Sequence, residues 1–196
     1  MKANLIVVRA EGWKREQWYD ETGLRWVNPS PNMRSLQTAA VYPGTCLFEG
    51  TNFSEGRGSE HPFEWIGAPF ADGARWANEL NALHLSGVQF DSLEFTPREI
   101  PNVASNPKLN GEYCKGVFVR VTNRKIFQAV PAAVAMLVAA KKLFPQIQWR
   151  AYVDRLAGTP RLRTMVDAGL SAEKIVQSWN EEVRQFTAVR KKYLLY

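Results

Sequence analysis

Residues 116–122 read Gly116-Val117-Phe118-Val119-Arg120-Val121-Thr122, and after a six-residue gap an apolar stretch runs from Ala129 to Phe144 and meets Pro145. In the first stretch Val117, Val119 and Val121 alternate with Phe118, Arg120 and Thr122. That period of two is the mark of a strand with one face covered. The second stretch is apolar nearly all round, which predicts a deeply buried helix. Pro145 ends it, because proline has no N–H to continue the ladder. Working outward, Val88 to Phe95 also alternates and Ala74 to Leu83 has helical character. Ser35 to Val41 is expected as a short helix with Ser35 as N-cap, broken by Pro43-Gly44. Thr159-Pro160 starts a further short helix. A last helix is expected from Ser171 to Lys192, with Ile175, Trp179, Val183 and Phe186 as one apolar stripe. At the other end, Asn4-Leu5-Ile6-Val7-Val8 reads as a short buried strand. It begins with little lead-in, so a preceding segment is expected. A rigid, Trp- and Pro-rich loop follows, from Gly12 to Asn32. Strands alternating with helices predict an α/β (α+β-like) class. The expectation is a mixed sheet flanked by helices, in a single domain with long Gly/Pro-rich loops.

The chain has 196 residues, 45% hydrophobic and 22% charged. A chain of this length buries roughly two-thirds of its unfolded surface and needs no staple to fold. Lys and Arg total 25 against 19 Asp and Glu, a net charge of +6. A basic balance suits nucleic acid, an anionic membrane or an anionic polymer such as cell wall. The densest basic cluster, Arg190-Lys191-Lys192, sits where the end of a helix favours cations anyway. No basic stripe with interleaved aromatics is visible, so nucleic acid is not expected as a partner. The longest apolar run, Ala129 to Ala140, is too short to span a bilayer, and no membrane partner is expected. No signal peptide is visible, and the compartment stays open. Cys46 and Cys114 lie in apolar stretches and read as two buried thiols, with a disulfide only in an oxidising compartment. Neither belongs to a cluster with zinc-ligand spacing, so no metal is expected.

The densest polar block is Glu49-Gly50-Thr51-Asn52-Phe53-Ser54-Glu55-Gly56-Arg57-Gly58. Its glycines permit sharp turns and close approach to a ligand. Phe48, Phe53, Phe63 and Trp65 flank it, and aromatic faces stack on the apolar face of a pyranose. Glycosidases use two carboxyl groups, which Glu49 and Glu55 can supply in whole or in part. Asn52 and Ser54 can bond sugar hydroxyls, and Arg57 can hold a carboxylate bidentately. The competing reading is that Glu and Arg of a Gly-rich loop simply pair with one another. A phosphate loop is disfavoured because Gly-Lys-Ser/Thr is missing. His61 lies beside the block and can assist acid–base work or bond a sugar. His84 reads as structural. Nothing around Ser54 resembles a nucleophile elbow. Of the seven tryptophans, Trp13, Trp18 and Trp26 are the better candidates for ligand contact or for packing on another domain.

Thr22-Gly23-Leu24-Arg25-Trp26-Val27-Asn28-Pro29-Ser30-Pro31-Asn32 looks like a family signature. So does Tyr42-Pro43-Gly44-Thr45-Cys46-Leu47-Phe48-Glu49-Gly50-Thr51-Asn52-Phe53-Ser54-Glu55-Gly56-Arg57-Gly58, followed by Pro62-Phe63-Glu64 and Gly67-Ala68-Pro69. Both resemble the NamZ/YbbC-like exo-β-N-acetylmuramidases, formerly a domain of unknown function. Cys114-Lys115-Gly116-Val117, Val121-Thr122-Asn123-Arg124, Asp154-Arg155-Leu156-Ala157-Gly158 and the closing Arg190 to Tyr196 extend the resemblance over essentially the whole chain.

The resemblance implies a C-terminal half, with an N-terminal Rossmann-like half absent from residues 1–196 and a cleft between the two. It implies release of terminal N-acetylmuramic acid from the non-reducing end of peptidoglycan fragments. Glu49, Asn52, Ser54, Glu55 and Arg57 would line the sugar site. Glu49 or Glu55 would assist a catalytic group from the other half. His61 stands in Ser59-Glu60-His61, where many members carry a different, Thr-containing run. No organic cofactor or metal is implied. The expected partners are muropeptides, together with the N-terminal half or a second copy on an exposed apolar surface. The alternative is a non-catalytic muropeptide-binding module.

Overall fold

The computed structural model describes residues 3–196, which fall into two compact units. The larger unit is Val27–Ser178. Its centre is a three-stranded antiparallel sheet of β1 (Trp65–Ala68), β2 (Val88–Phe95) and β3 (Cys114–Val121), in the order β1-β3-β2. Trp65 lies opposite Phe118 and Val88 opposite Val121, which fixes the register. Helices cover this sheet, as the α+β class requires, and every strand pairing in it is antiparallel.

α2 (Gly73–Asn81) packs on β2 and β3. Its N-cap is Asp72, whose carboxylate accepts from the Arg75 N–H. α3 (Ala129–Leu143) is the buried helix, with Ala133, Val134, Met136, Leu137 and Ala140 out of solvent. α1 (Leu36–Thr45) packs on α3 and carries the predicted cap, Ser35 Oγ accepting from Thr38 N at 3.0 Å.

The expected break at Pro43-Gly44 does not occur. α1 runs through both residues and passes into a 3-10 turn over Cys46–Gly50. Pro43 lies on the exposed side of the last turn, where its missing N–H costs a single backbone bond. Gly44 lies at the crossing with α3, where a Cβ would stand 2.0 Å from the Ala129 carbonyl oxygen. A close helix crossing therefore requires glycine at a place where its turn propensity predicts a stop.

β1 falls in a stretch expected to be loop. Four residues are too few for an alternating pattern to show. Three further short helices complete the unit: α4 (Tyr152–Leu156), α5 (Arg161–Asp167) and α6 (Ala172–Gln177). Ser171 caps α6 as expected, accepting from Lys174 N.

The smaller unit joins residues up to Trp26 with Trp179–Tyr196. It holds α7 (Asn180–Lys191), with Glu181 and Glu182 in the first turn and Arg190 and Lys191 in the last. Those charges complement the helix dipole. Trp13 meets the Tyr196 ring edge-on at 4.8 Å. Tyr19, in a 3-10 turn, meets Trp26 at 5.2 Å. The single helix expected from Ser171 is thus two helices in two units, and the predicted stripe is divided. Ile175 is fully buried, whereas Val183 and Phe186 are exposed. The strand expected over Asn4–Val8 is also absent. Leu5, Ile6 and Val8 lie in chain without regular secondary structure, open to solvent, with no strand beside them among the described residues. An apolar run becomes a strand only where a neighbour completes its hydrogen bonds.

Candidate functional site

The polar block folds as a surface loop pinned from beneath. Phe48 and Phe53 point inward and pack with Trp76 and Phe144, at ring separations of 5.3 to 6.2 Å. Phe63 is buried as well. These rings were expected to face a sugar; they are core anchors instead, and they leave Glu49 on the outer side of its turn. Tyr42 of α1, partly open to solvent, lies near Glu49, and Tyr152 of α4 lies near Tyr42. α4 comes close because Gly50 has no side chain: a Cβ there would stand 2.5 Å from Val153 Cα.

Arg57 pairs with Glu49 and Glu55, as the competing reading of the block expected, and a fourth residue, Lys108, joins them. Arg57 Nη2 is 3.2 Å from Glu49 Oε2, and its Nε is 3.8 Å from Glu55 Oε1. On the far side Lys108 Nζ is 2.8 Å from Glu55 Oε2. The same ammonium donates to the carbonyls of Phe48, at 2.7 Å, and Thr51, at 3.1 Å. It therefore ties both ends of the turn that carries Glu49. Nothing in Asn106-Pro107-Lys108-Leu109 signals this role, because its partners lie some fifty residues away in sequence.

Burial separates the two carboxylates. Glu55 is almost wholly enclosed and held between two cations, whereas Glu49 keeps an edge in solvent. Burial raises the Glu49 pKa above the ordinary carboxylate value; Arg57 pulls it back, Glu55 raises it, and Lys108 lowers it. Desolvation lowers the Lys108 pKa, and the Glu55 charge opposes that shift. Burial and then the nearby Cys46 and Glu49 raise the Tyr42 phenol. A half-enclosed carboxyl with a raised pKa can carry a proton at milder pH than an exposed one, which is what a general acid needs.

Asn52 and Ser54 hold the loop itself. The Asn52 amide donates to the Gln146 carbonyl and accepts from Gln148 N, both at 2.9 Å. Ser54 is buried and accepts from Gly56 N at 3.1 Å, inside a turn that Gly56 closes at φ +78°. A Cβ at Gly56 would stand 2.6 Å from the Trp65 carbonyl, so only glycine fits.

His61 does not join this group. It lines a separate cavity of about 420 Å³ with Arg34, Ser35, Thr38, Glu64 and Arg120. Its Nδ1 faces Glu64 Oε2 at 3.3 Å, and its ring lies by Trp65 and Phe118. Glu64 is buried and accepts from Thr38 Oγ1 at 2.5 Å and Ser35 Oγ at 3.2 Å. Both cysteines are free thiols, Cys114 buried with its pKa pushed up to about 12 by desolvation, and Cys46 half-buried. His84 lies exposed just past α2 with φ +49°.

Residues 40–196 match the family model described as exo-β-N-acetylmuramidase NamZ, C-terminal, and residues 1–37 match its N-terminal counterpart. The chain is 41% identical over 197 residues to the peptidoglycan β-N-acetylmuramidase NamZ of Bacillus subtilis (strain 168), covering 99% of this chain and 46% of that protein. Two DUF1343 family proteins of Bacteroides fragilis have similar solved structures. One, BF0371, gives a TM-score of 0.80 at 25% identity, over 94% of this chain and 49% of the other. The second, BF0379, gives 0.64 at 29% identity, over 86% and 43%. The chain thus spans about half the length of the relatives it matches. By sequence along nearly its whole length, and by fold, the chain belongs to the exo-β-N-acetylmuramidase NamZ family.

Proposed function

We propose that this chain is the C-terminal part of a glycosidase that releases terminal N-acetylmuramic acid from the non-reducing end of peptidoglycan fragments. The observation that carries this reading is Glu49: one half-enclosed carboxyl with a raised pKa, beside the guanidinium of Arg57 and near the Tyr42 phenol. Tyr42 offers a ring face to a pyranose. Arg57 is partly exposed and suits the carboxylate of a lactyl group. A ligand carboxylate on Arg57 would offset the charge that now lowers the Glu49 pKa. Glu49 would then hold its proton more tightly and could give it to the leaving oxygen as the bond breaks. Glu55, enclosed and paired, would orient Arg57 without touching the sugar.

Glycoside hydrolysis by this route needs a second carboxyl-type group. With Glu55 enclosed, the N-terminal Rossmann-like half of the family would supply it across a shared cleft. The name of the Bacillus relative supports the substrate class. The enclosure of Glu55 also favours a second reading, a muropeptide-binding module with no turnover of its own.

The test is release of chromophore from an aryl β-N-acetylmuramide, by this chain alone and then with a folded N-terminal half that binds it. Activity on mixing, lost in Glu49→Gln, is the expected result. Activity of this chain alone would put both carboxyl roles here. No activity in either case, with the sugar still bound, would leave the binding module.

A further inference from the structure

Ser35, Thr38, Tyr42, Cys46 and Glu49 follow one another at spacings of three, four, four and three along α1 and its 3-10 extension. Such spacings place side chains in one stripe on a helix. The two ends of the stripe are about 20 Å apart at the helical rise per residue. That is the reach of several pyranose units joined end to end. Glu49 and Arg57 stand at one end. The cavity of His61 stands at the other, lined by Ser35 and Thr38. Phe63 lies beneath the middle: the Tyr42 ring meets it edge-on at 4.8 Å, and the Arg57 guanidinium lies over it at 5.1 Å.

The cavity is built around a fixed imidazole. Glu64 takes hydrogen bonds from Thr38 and Ser35 and faces His61 Nδ1, so its oxygens are occupied by the protein. A carboxylate facing Nδ1 favours the tautomer protonated there, and Nε2 is then an acceptor. Trp65 and Phe118 flank the ring at 4.9 and 5.4 Å and limit its rotation. Arg34 contributes a guanidinium to the lining, whereas Arg120 is already paired with Asp91. Glu60 also lines the cavity, so the signs are mixed and a bare anion is a poor fit. A ligand with an O–H or N–H for Nε2 and a carbonyl or carboxylate oxygen for Arg34 suits both groups. An N-acetylated hexosamine has these side by side, in its hydroxyls and acetamido group.

We propose that this cavity is a distal saccharide subsite. It takes an N-acetylated hexosamine further along the same glycan whose terminal unit sits at Glu49. The proposal rests on the glycan reading of the Glu49 site and adds to it a dependence on chain length. The test is calorimetric titration of the full chain with a disaccharide and a tetrasaccharide of alternating N-acetylmuramic acid and N-acetylglucosamine. The tetrasaccharide is expected to bind about tenfold tighter, the effect of a modest extra set of contacts. His61→Ala and Arg34→Ala should each remove most of that gain and leave disaccharide affinity unchanged. Both side chains are partly exposed, so the variants should fold, which thermal unfolding would check. Equal affinity of the two glycans for the unaltered chain, or a gain that survives both substitutions, overturns the subsite and leaves the Glu49 reading standing. Failure of both glycans to bind overturns the glycan reading itself, and the subsite with it.

Discussion

Lys108 Nζ lies 2.8 Å from Glu55 Oε2, and both side chains are largely shielded from water. An ion pair in such surroundings is costly to form and costlier to break by halves, because the survivor keeps its charge without a partner. Here the ammonium also holds two carbonyls of the Glu49 turn, so the pair links the stability of the loop to the placement of its outer carboxyl.

Lys108→Met should therefore destabilise the chain by about 3–5 kcal/mol, the usual effect of removing one member of a buried pair. Adding Glu55→Gln to it should restore a large part of the loss. Urea denaturation of the two single variants and the double variant reads this directly. Additive losses would show that the pair does not act as a unit.

The Glu49 carboxyl has a raised pKa in the folded chain. Its protonated form is thus favoured by folding, and that contribution is present below the unfolded value and is lost as pH rises through the folded one. Glu49→Gln, which mimics the protonated form, should match the unaltered chain in stability at acid pH and gain on it towards neutrality. Thermal unfolding across that range is the measurement. In the mixed system, the same substitution should cut turnover about 10²- to 10⁴-fold.

Arg57 is the largest influence lowering the Glu49 pKa. Arg57→Ala should move the Glu49 titration to higher pH, seen in carboxyl carbon NMR. An unmoved titration would mean that the 3.2 Å contact is not held in solution.

Gly44→Ala should destabilise the chain by about 1–3 kcal/mol, the range for overpacking. The new methyl would stand 2.0 Å from the Ala129 carbonyl oxygen and 2.9 Å from Ala133 Cβ. Unfolding free energy at neutral pH checks it, and an unchanged value would mean the two helices can part without cost.

Alkylation by iodoacetamide should be slow at both cysteines, and slower at Cys114. Burial raises both thiol pKa values, that of Cys114 to about 12, and Cys46 is the more accessible. Mass spectrometry of a time course distinguishes the two.

Some of this was legible because it is local. β2 over Val88–Phe95 shows its period, α3 from Ala129 its unbroken apolar run, and Pro145 and Ser35 mark boundaries by their own chemistry. The pairing of Glu49 and Glu55 with Arg57 was legible too, as the competing reading of the block, because they lie within nine residues of Gly-rich chain. Other features depended on distant partners. The apolar Asn4–Val8 looked like a strand and has no neighbour to pair with among the described residues. The aromatics around the loop looked like a sugar platform, but the core claims Phe48, Phe53 and Phe63. Lys108 carried no signal at all.

By itself, then, the sequence determined the class of fold, the extent of the buried helix α3 and the loop that gathers two carboxylates and an arginine, since each follows from spacing within a short run. Only the tertiary structure decided which carboxylate meets solvent, which aromatics the core claims, and that His61 belongs to another cavity. Burial and electrostatic coupling depend on groups brought together from distant parts of the chain, and periodicity along a segment carries no record of what will pack against it.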